Sequence, residues 1–92
     1  MSILKRLVLD VLKPHLPNGL DFAKTLADLE SGYHVKYEVI EVDSQTESVI
    51  ITIEGDDIKF DLINEAIKSM GGSLHSVDEI EIINQKPADE TV

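Results

Sequence analysis

The chain has 92 residues, enough for one domain and too few for two, so whatever it does is done by one compact unit or by copies of it. Hydrophobic residues make up 42%, with eleven Ile, ten Leu and eight Val, which excludes disorder and fits a core that buries roughly 60–65% of the unfolded surface. Eighteen acidic against eight basic residues give a net charge of −10, which repels phosphate backbones and anionic lipid, so neither nucleic acid nor membrane is expected as a partner. No apolar run approaches the ~20 residues of a membrane span. Met1-Ser2-Ile3-Leu4-Lys5-Arg6 has no signal-peptide cleavage region, and without cysteine there are no disulfides, thiolate metal sites or cysteine nucleophile. These features predict a cytoplasmic location. The charge is uneven: residues 1–42 carry six acids and five bases, residues 43–92 twelve acids and three bases.

Leu4 to Lys13 is rich in β-formers, with Leu7, Leu9 and Val11 on one phase and Arg6, Val8, Asp10 and Leu12 on the other, and Pro14 ends this first strand. Asn18 is placed to cap a helix in which Phe22, Ala23, Leu26, Ala27 and Leu29 recur at helical spacing, with Gly32 as its stop. Tyr33 to Val42 alternates as a second strand. Asp43 to Ser48 reads as a polar turn leading into a third strand, Val49 to Glu54, and so into an antiparallel hairpin. Asp56 or Asp57 then caps a second helix with the stripe Phe60, Ile63, Ala66, Ile67 and Met70, closed by Gly71-Gly72. Leu74 to Ile83 is the fourth strand. Residues 1–83 therefore form one domain, and residues 84–92, almost without apolar content, are expected to be a disordered C-terminal tail.

The order βαββαβ predicts an α+β ferredoxin-like sandwich, a four-stranded antiparallel sheet of order 4-1-3-2 with two helices on one face. Within it, strand one is expected beside strand three in parallel. The sets Leu7/Leu9/Val11, Val35/Tyr37/Val39 and Val49/Ile51/Ile53 then face the helices. The other face collects Val8, Leu12, Ile40, Ile50 and Ile80 in the open, a patch that predicts a homo-oligomer. On this face parallel pairing would bring Glu54 near Asp10, and strand four would add Asp78. Three carboxylates of this kind call for a cation, a proton, or a base such as Arg6 or Lys13, and oxygen ligands without sulfur suit Ca²⁺ or Mg²⁺; an intersubunit salt bridge to Lys36 or Arg6 accounts for the same residues.

Other chemistry is sparse. His15, His34 and His75 have no ligand spacing, although pairing of strands one and four could bring His15 to His75. There is no phosphate loop and no G-x-S-x-G. The loop after strand one, Pro14 to Gly19, lacks the arginine that an acylphosphatase would place there.

The strings Arg6-Leu7-Val8-Leu9-Asp10-Val11-Leu12-Lys13-Pro14-His15, Thr52-Ile53-Glu54-Gly55 and Leu74-His75-Ser76-Val77-Asp78-Glu79 resemble an archaeal family of small uncharacterised proteins, domain-of-unknown-function family 211, over Leu4 to about Ile82. That resemblance implies a ferredoxin-like fold, ring-like homo-oligomers and no established activity. It also implies that Asp10, Lys13, His15, Glu54, His75, Ser76 and Asp78 are recurring polar positions. Pro17-Asn18-Gly19-Leu20, followed by Phe22, Leu26 and Leu29, is similar to the strand-to-helix segment of amino-acid-sensing ACT domains, which implies a small ligand at a subunit contact. The leading expectation is a non-enzymatic homo-oligomeric binding or regulatory module with a cation or small ligand near Asp10, Glu54 and Asp78. The alternatives are an ACT-like sensor and an enzyme using Asp10 or His75.

Overall fold

The computed structural model describes residues 1–85. Along them run β1 (Ser2–Pro14), α1 (Gly19–Ala27), β2 (His34–Val42), β3 (Thr46–Glu54), α2 (Phe60–Ser69) and β4 (Ser73–Asn84). The strands form one sheet in the order β2-β3-β1-β4, antiparallel at every neighbouring pair, which is the ferredoxin-like α+β sandwich. One part of the expected wiring is corrected: β1 and β3 are antiparallel, not parallel. The βαβ crossover makes β1 and β2 run the same way with one strand's width between them. The tight β2–β3 turn then sends β3 back through that gap in the opposite sense.

Cross-strand partners point to the same side of a sheet, so the register sorts the residues into rows. Facing the helices are Val35–Ile53–Leu7–Ile80, Tyr37–Ile51–Leu9–Val77 and Val39–Val49–Val11–Leu74. The β1 and β3 members are buried beneath Phe22 and Leu26 of α1 and Ile63 and Ile67 of α2. Each such side chain contributes about 1.5–3 kcal/mol by leaving water. The β2 side is thinner. Nine-residue α1 is about 14 Å long against about 30 Å for the nine residues of β2. Val35 and Tyr37 are accordingly half-buried, and Val39 is half exposed.

Asn18 caps α1 as expected, its Oδ1 accepting from the Asp21 N–H at 2.8 Å. The helix ends at Ala27, before Gly32, and Leu29 reaches the core from the turn that follows. Neither Asp56 nor Asp57 caps α2, which starts at Phe60 with Lys59 in the cap position. The chain bends at Asp56 and Asp57 and is tied back to β1 instead: the Gly55 and Ile58 N–H groups donate to the Lys5 and Leu4 carbonyls at 3.1 and 2.8 Å, and Ile58 is buried. The polar stretch Thr46-Glu47-Ser48 belongs to β3, because the reversal closes earlier, with the Asp43 N–H donating to the Thr46 carbonyl at 2.8 Å.

β1 and β4 outrun the other strands and pair as far as Ser2 and Asn84. The Gln85 N–H donates to the Met1 carbonyl at 2.8 Å, so the ordered strand passes the expected boundary at 83. The rest of the predicted tail, residues 86–92, lies outside the described residues. Register shifts between Leu4/Arg6, Val8/Leu9 and Asp10/Val11 leave Lys5, Asp78 and His75 without a partner across the β1–β4 ladder. Each bulge inverts the alternation beyond it. Ile80 consequently sits opposite Leu7 on the helix side, and not on the open face.

At the start of α1, a Cβ on Gly19 would lie 2.6 Å from Tyr37 Cε1. Gly19→Ala is therefore expected to lower stability by about 1–3 kcal/mol through overpacking. Urea unfolding should show a lower midpoint at unchanged slope.

Candidate functional site

The open face is built from the rows His34–Glu54–Arg6–Glu81, Lys36–Thr52–Val8–Glu79 and Glu38–Ile50–Asp10–Ser76. Arg6 organises its charge: Nη1 donates to Glu54 Oε2 at 2.8 Å and Nε donates to Glu79 Oε1. Asp10 lies between Ile50 and Ser76, and Glu54 is displaced from it by four residues along the sheet, about 13 Å. Asp78, in its bulge, accepts from the Ser76 hydroxyl at 2.6 Å. The three carboxylates Asp10, Glu54 and Asp78 are thus not brought together in one chain, because antiparallel pairing sets Glu54 level with Arg6. Among the described residues no three His, Cys, Asp or Glu side chains are grouped so as to hold a metal ion. His15 and His75 are also apart: His15 turns toward the β2–β3 end, whereas His75 is bulged from β4.

The structure assembles a different polar cluster on the helix side. Lys13 continues the phase of Leu7, Leu9 and Val11, and Glu47, its partner across β3, continues that of Val49, Ile51 and Ile53. The pair forms the next row of the core stripe, and Lys13 is fully buried, with its ammonium 5.6 Å from the centre of the Phe22 ring. Lys13 Nζ donates to the Pro14 carbonyl at 2.7 Å and to Glu47 Oε1 at 3.3 Å. The Tyr37 hydroxyl donates to the same oxygen at 3.0 Å, and His15 Nδ1 lies 3.1 Å from Glu47 Oε2. His15 Nε2 is 2.9 Å from the Asp43 carbonyl oxygen. The bonds from His15, Tyr37 and Lys13 hold the Glu47 carboxyl below the usual carboxylate range against the opposing effect of burial. Glu47 in turn raises the His15 pKa, with the Asp43 carbonyl adding to it, and burial together with the bond to Glu47 pushes the Tyr37 phenol up. Lys13 and His15 were among the positions singled out by resemblance. Nothing in the alternation marks Tyr37 and Glu47 as polar partners, although Glu47 stands in phase with Val49 and Ile51.

Toward the other end of β1, Leu4, Leu7, Phe60, Val77, Ile80 and Ile82 line a groove of about 320 Å³ with no polar group in its wall. Ile80 and Ile82 are each more than half exposed there.

These features define the class as a ferredoxin-like sandwich with one bare sheet face and a buried ion pair at the end where α1 starts. The profile of domain-of-unknown-function family 211, described as uncharacterized ArCR, matches residues 5–89, reaching into the stretch beyond Ile83 that the sequence resemblance left out. The chain belongs to this family. It is also similar to the uncharacterized protein MJ0319 of the archaeon Methanocaldococcus jannaschii, with 46% identity over 80 residues, covering 87% of this chain and 82% of that protein. No helix among the described residues is long and apolar enough to cross a membrane.

Removing one partner of a buried ion pair strands the other charge, so Glu47→Gln is expected to cost on the order of 3 kcal/mol. Lys13→Met combined with Glu47→Gln should recover part of that loss in urea unfolding. The depressed Glu47 pKa stabilises the fold above the carboxyl's unfolded value and loses that contribution as pH falls through the folded value. Acid titration of stability should therefore show a smaller drop in Glu47→Gln than in the wild type.

Proposed function

We propose that the protein is a non-enzymatic, self-associating binding module, with a divalent cation or small ligand held where copies meet. The observation that carries this reading is the sheet face opposite the helices, on which Leu12 is 43% exposed beside half-buried Val8 and Ile50, while Ile40 is displaced from the β2–β3 ladder by a register shift between Val39 and Glu41. Aliphatic surface spread over adjacent strands is costly in water and marks an interface. A second copy fits it by charge. The face carries both signs, Arg6 and Lys36 with Asp10, Glu38, Glu54, Glu79 and Glu81, so a two-fold related copy can set bases against acids. Any cation bound through Asp10 or Asp78 would draw further ligands from a neighbouring copy, since Arg6 already engages Glu54 and Glu79.

Two alternatives are weaker. An ACT-like site at the β1–α1 turn needs open backbone at Gly19, and there the Tyr37 ring occupies the space. An enzyme using Asp10 or His75 needs a substrate cavity beside them, and the 320 Å³ groove is walled only by aliphatic and aromatic side chains.

Light scattering of the purified protein is expected to return a multiple of 10.2 kDa, and Leu12→Glu should reduce that mass while leaving the circular dichroism unchanged. A wild-type mass near 10.2 kDa at micromolar concentration would overturn the reading. In thermal unfolding, Ca²⁺ or Mg²⁺ at about 100 times its Kd should add about 2.7 kcal/mol. Asp10→Asn should abolish that response.

A further inference from the structure

His15 lies in the loop between β1 and α1, and its two ring nitrogens face two acceptors on the hairpin. Nδ1 is 3.1 Å from a Glu47 carboxylate oxygen and Nε2 is 2.9 Å from the Asp43 carbonyl oxygen. A neutral imidazole has one N–H and one lone pair, so it can satisfy only one of them and must turn its lone pair on the other. The imidazolium donates to both. We propose that His15 is a pH-gated clasp that ties the β1–α1 loop to the β2–β3 turn when charged and releases one of the two contacts when neutral. This inference does not depend on self-association, because every group in it belongs to one chain.

The surroundings favour a local release over collapse. The groups facing His15 are Glu47 on β3, Lys13 on β1 and Tyr37 on β2 behind it, and Asp43 in the turn. When His15 loses its proton, Glu47 keeps the bonds from Lys13 and Tyr37, so the buried end of the cluster stays paired. What loosens is the exposed side, the turn at 43–46 and the loop carrying Leu16, which is 79% exposed. The sign follows from the direction of the shift. A histidine whose folded pKa is raised contributes its stabilisation below the unfolded value and loses it as pH rises through the folded one. Glu47, shifted down, sets the acid limit, so the clasp is closed between the Glu47 and His15 transitions.

The test is an NMR titration of the full ¹⁵N-labelled chain. Below its midpoint, His15 should show both ring nitrogens protonated, and the midpoint should lie above the ~6.5 of a free histidine. Glu47→Gln should move it down. Amides of the 43–46 turn should exchange about tenfold more slowly than in His15→Gln at the same pH below the midpoint, the effect of one charge-assisted hydrogen bond, and the two proteins should converge above it. Amides in the middle of β1 should exchange alike in both proteins and report that His15→Gln is folded. A midpoint at or below ~6.5, one unmoved by Glu47→Gln, or turn exchange that shows no convergence overturns the clasp.

Discussion

β1 pairs antiparallel with β3 over the nine positions from Arg6↔Glu54 to Pro14↔Thr46, and that register decides what nearly every other side chain can touch. Because side chains alternate along a strand, it fixes two faces at once. On one face it stacks Leu7, Leu9 and Val11 against Ile53, Ile51 and Val49, the floor on which both helices sit. On the other it sets Arg6 level with Glu54 and leaves Asp10 beside Ile50. A one-residue slip between the two strands would turn one of them over relative to the other, and a reversed β1 would bury Arg6 and Asp10 beneath the helices, at a cost no small core could offset.

The same stripe explains a fully buried lysine. Lys13 and Glu47 occupy the fourth helix-side row, where α1 begins and Phe22 closes over the sheet. A lone ammonium there would be prohibitive, and its pairing with a carboxylate that also accepts from Tyr37 and His15 makes the site tenable. One carboxylate thus collects donors from β1, β2 and the β1–α1 loop. Such a network specifies geometry more than it adds net stability, because its members were well hydrated in the unfolded chain.

Much of the fold was legible in the sequence because it rests on local periodicity. The alternation in β1 to β3, the Asn18 cap and the glycine stops marked four strands and two helices, and their order selected the sandwich. The errors came where a local signal was overruled by a distant partner. Asp56 and Asp57 look like caps, yet the chain only bends there before Ile58 enters the core and bonds to Leu4. Glu47 looks like part of a turn, yet it pairs with Lys13, 34 positions away in sequence. Period-2 counting puts Ile80 on the wrong face because each bulge between β1 and β4 reverses the alternation and leaves no mark in the sequence.

The sequence by itself determined the α+β class, the element order, most of the core and the candidate polar residues one at a time, since these depend on residue type and on spacing within a single element. Only the tertiary structure decided which of those residues meet. It separated Asp10, Glu54 and Asp78, gave Glu54 and Glu79 to Arg6, and gathered Lys13, His15, Tyr37 and Glu47. The physical reason is that strand direction and bulge position are set by the sum of long-range hydrogen bonds and packing over the whole sheet, and a change in either moves a side chain by a full residue spacing or to the opposite face.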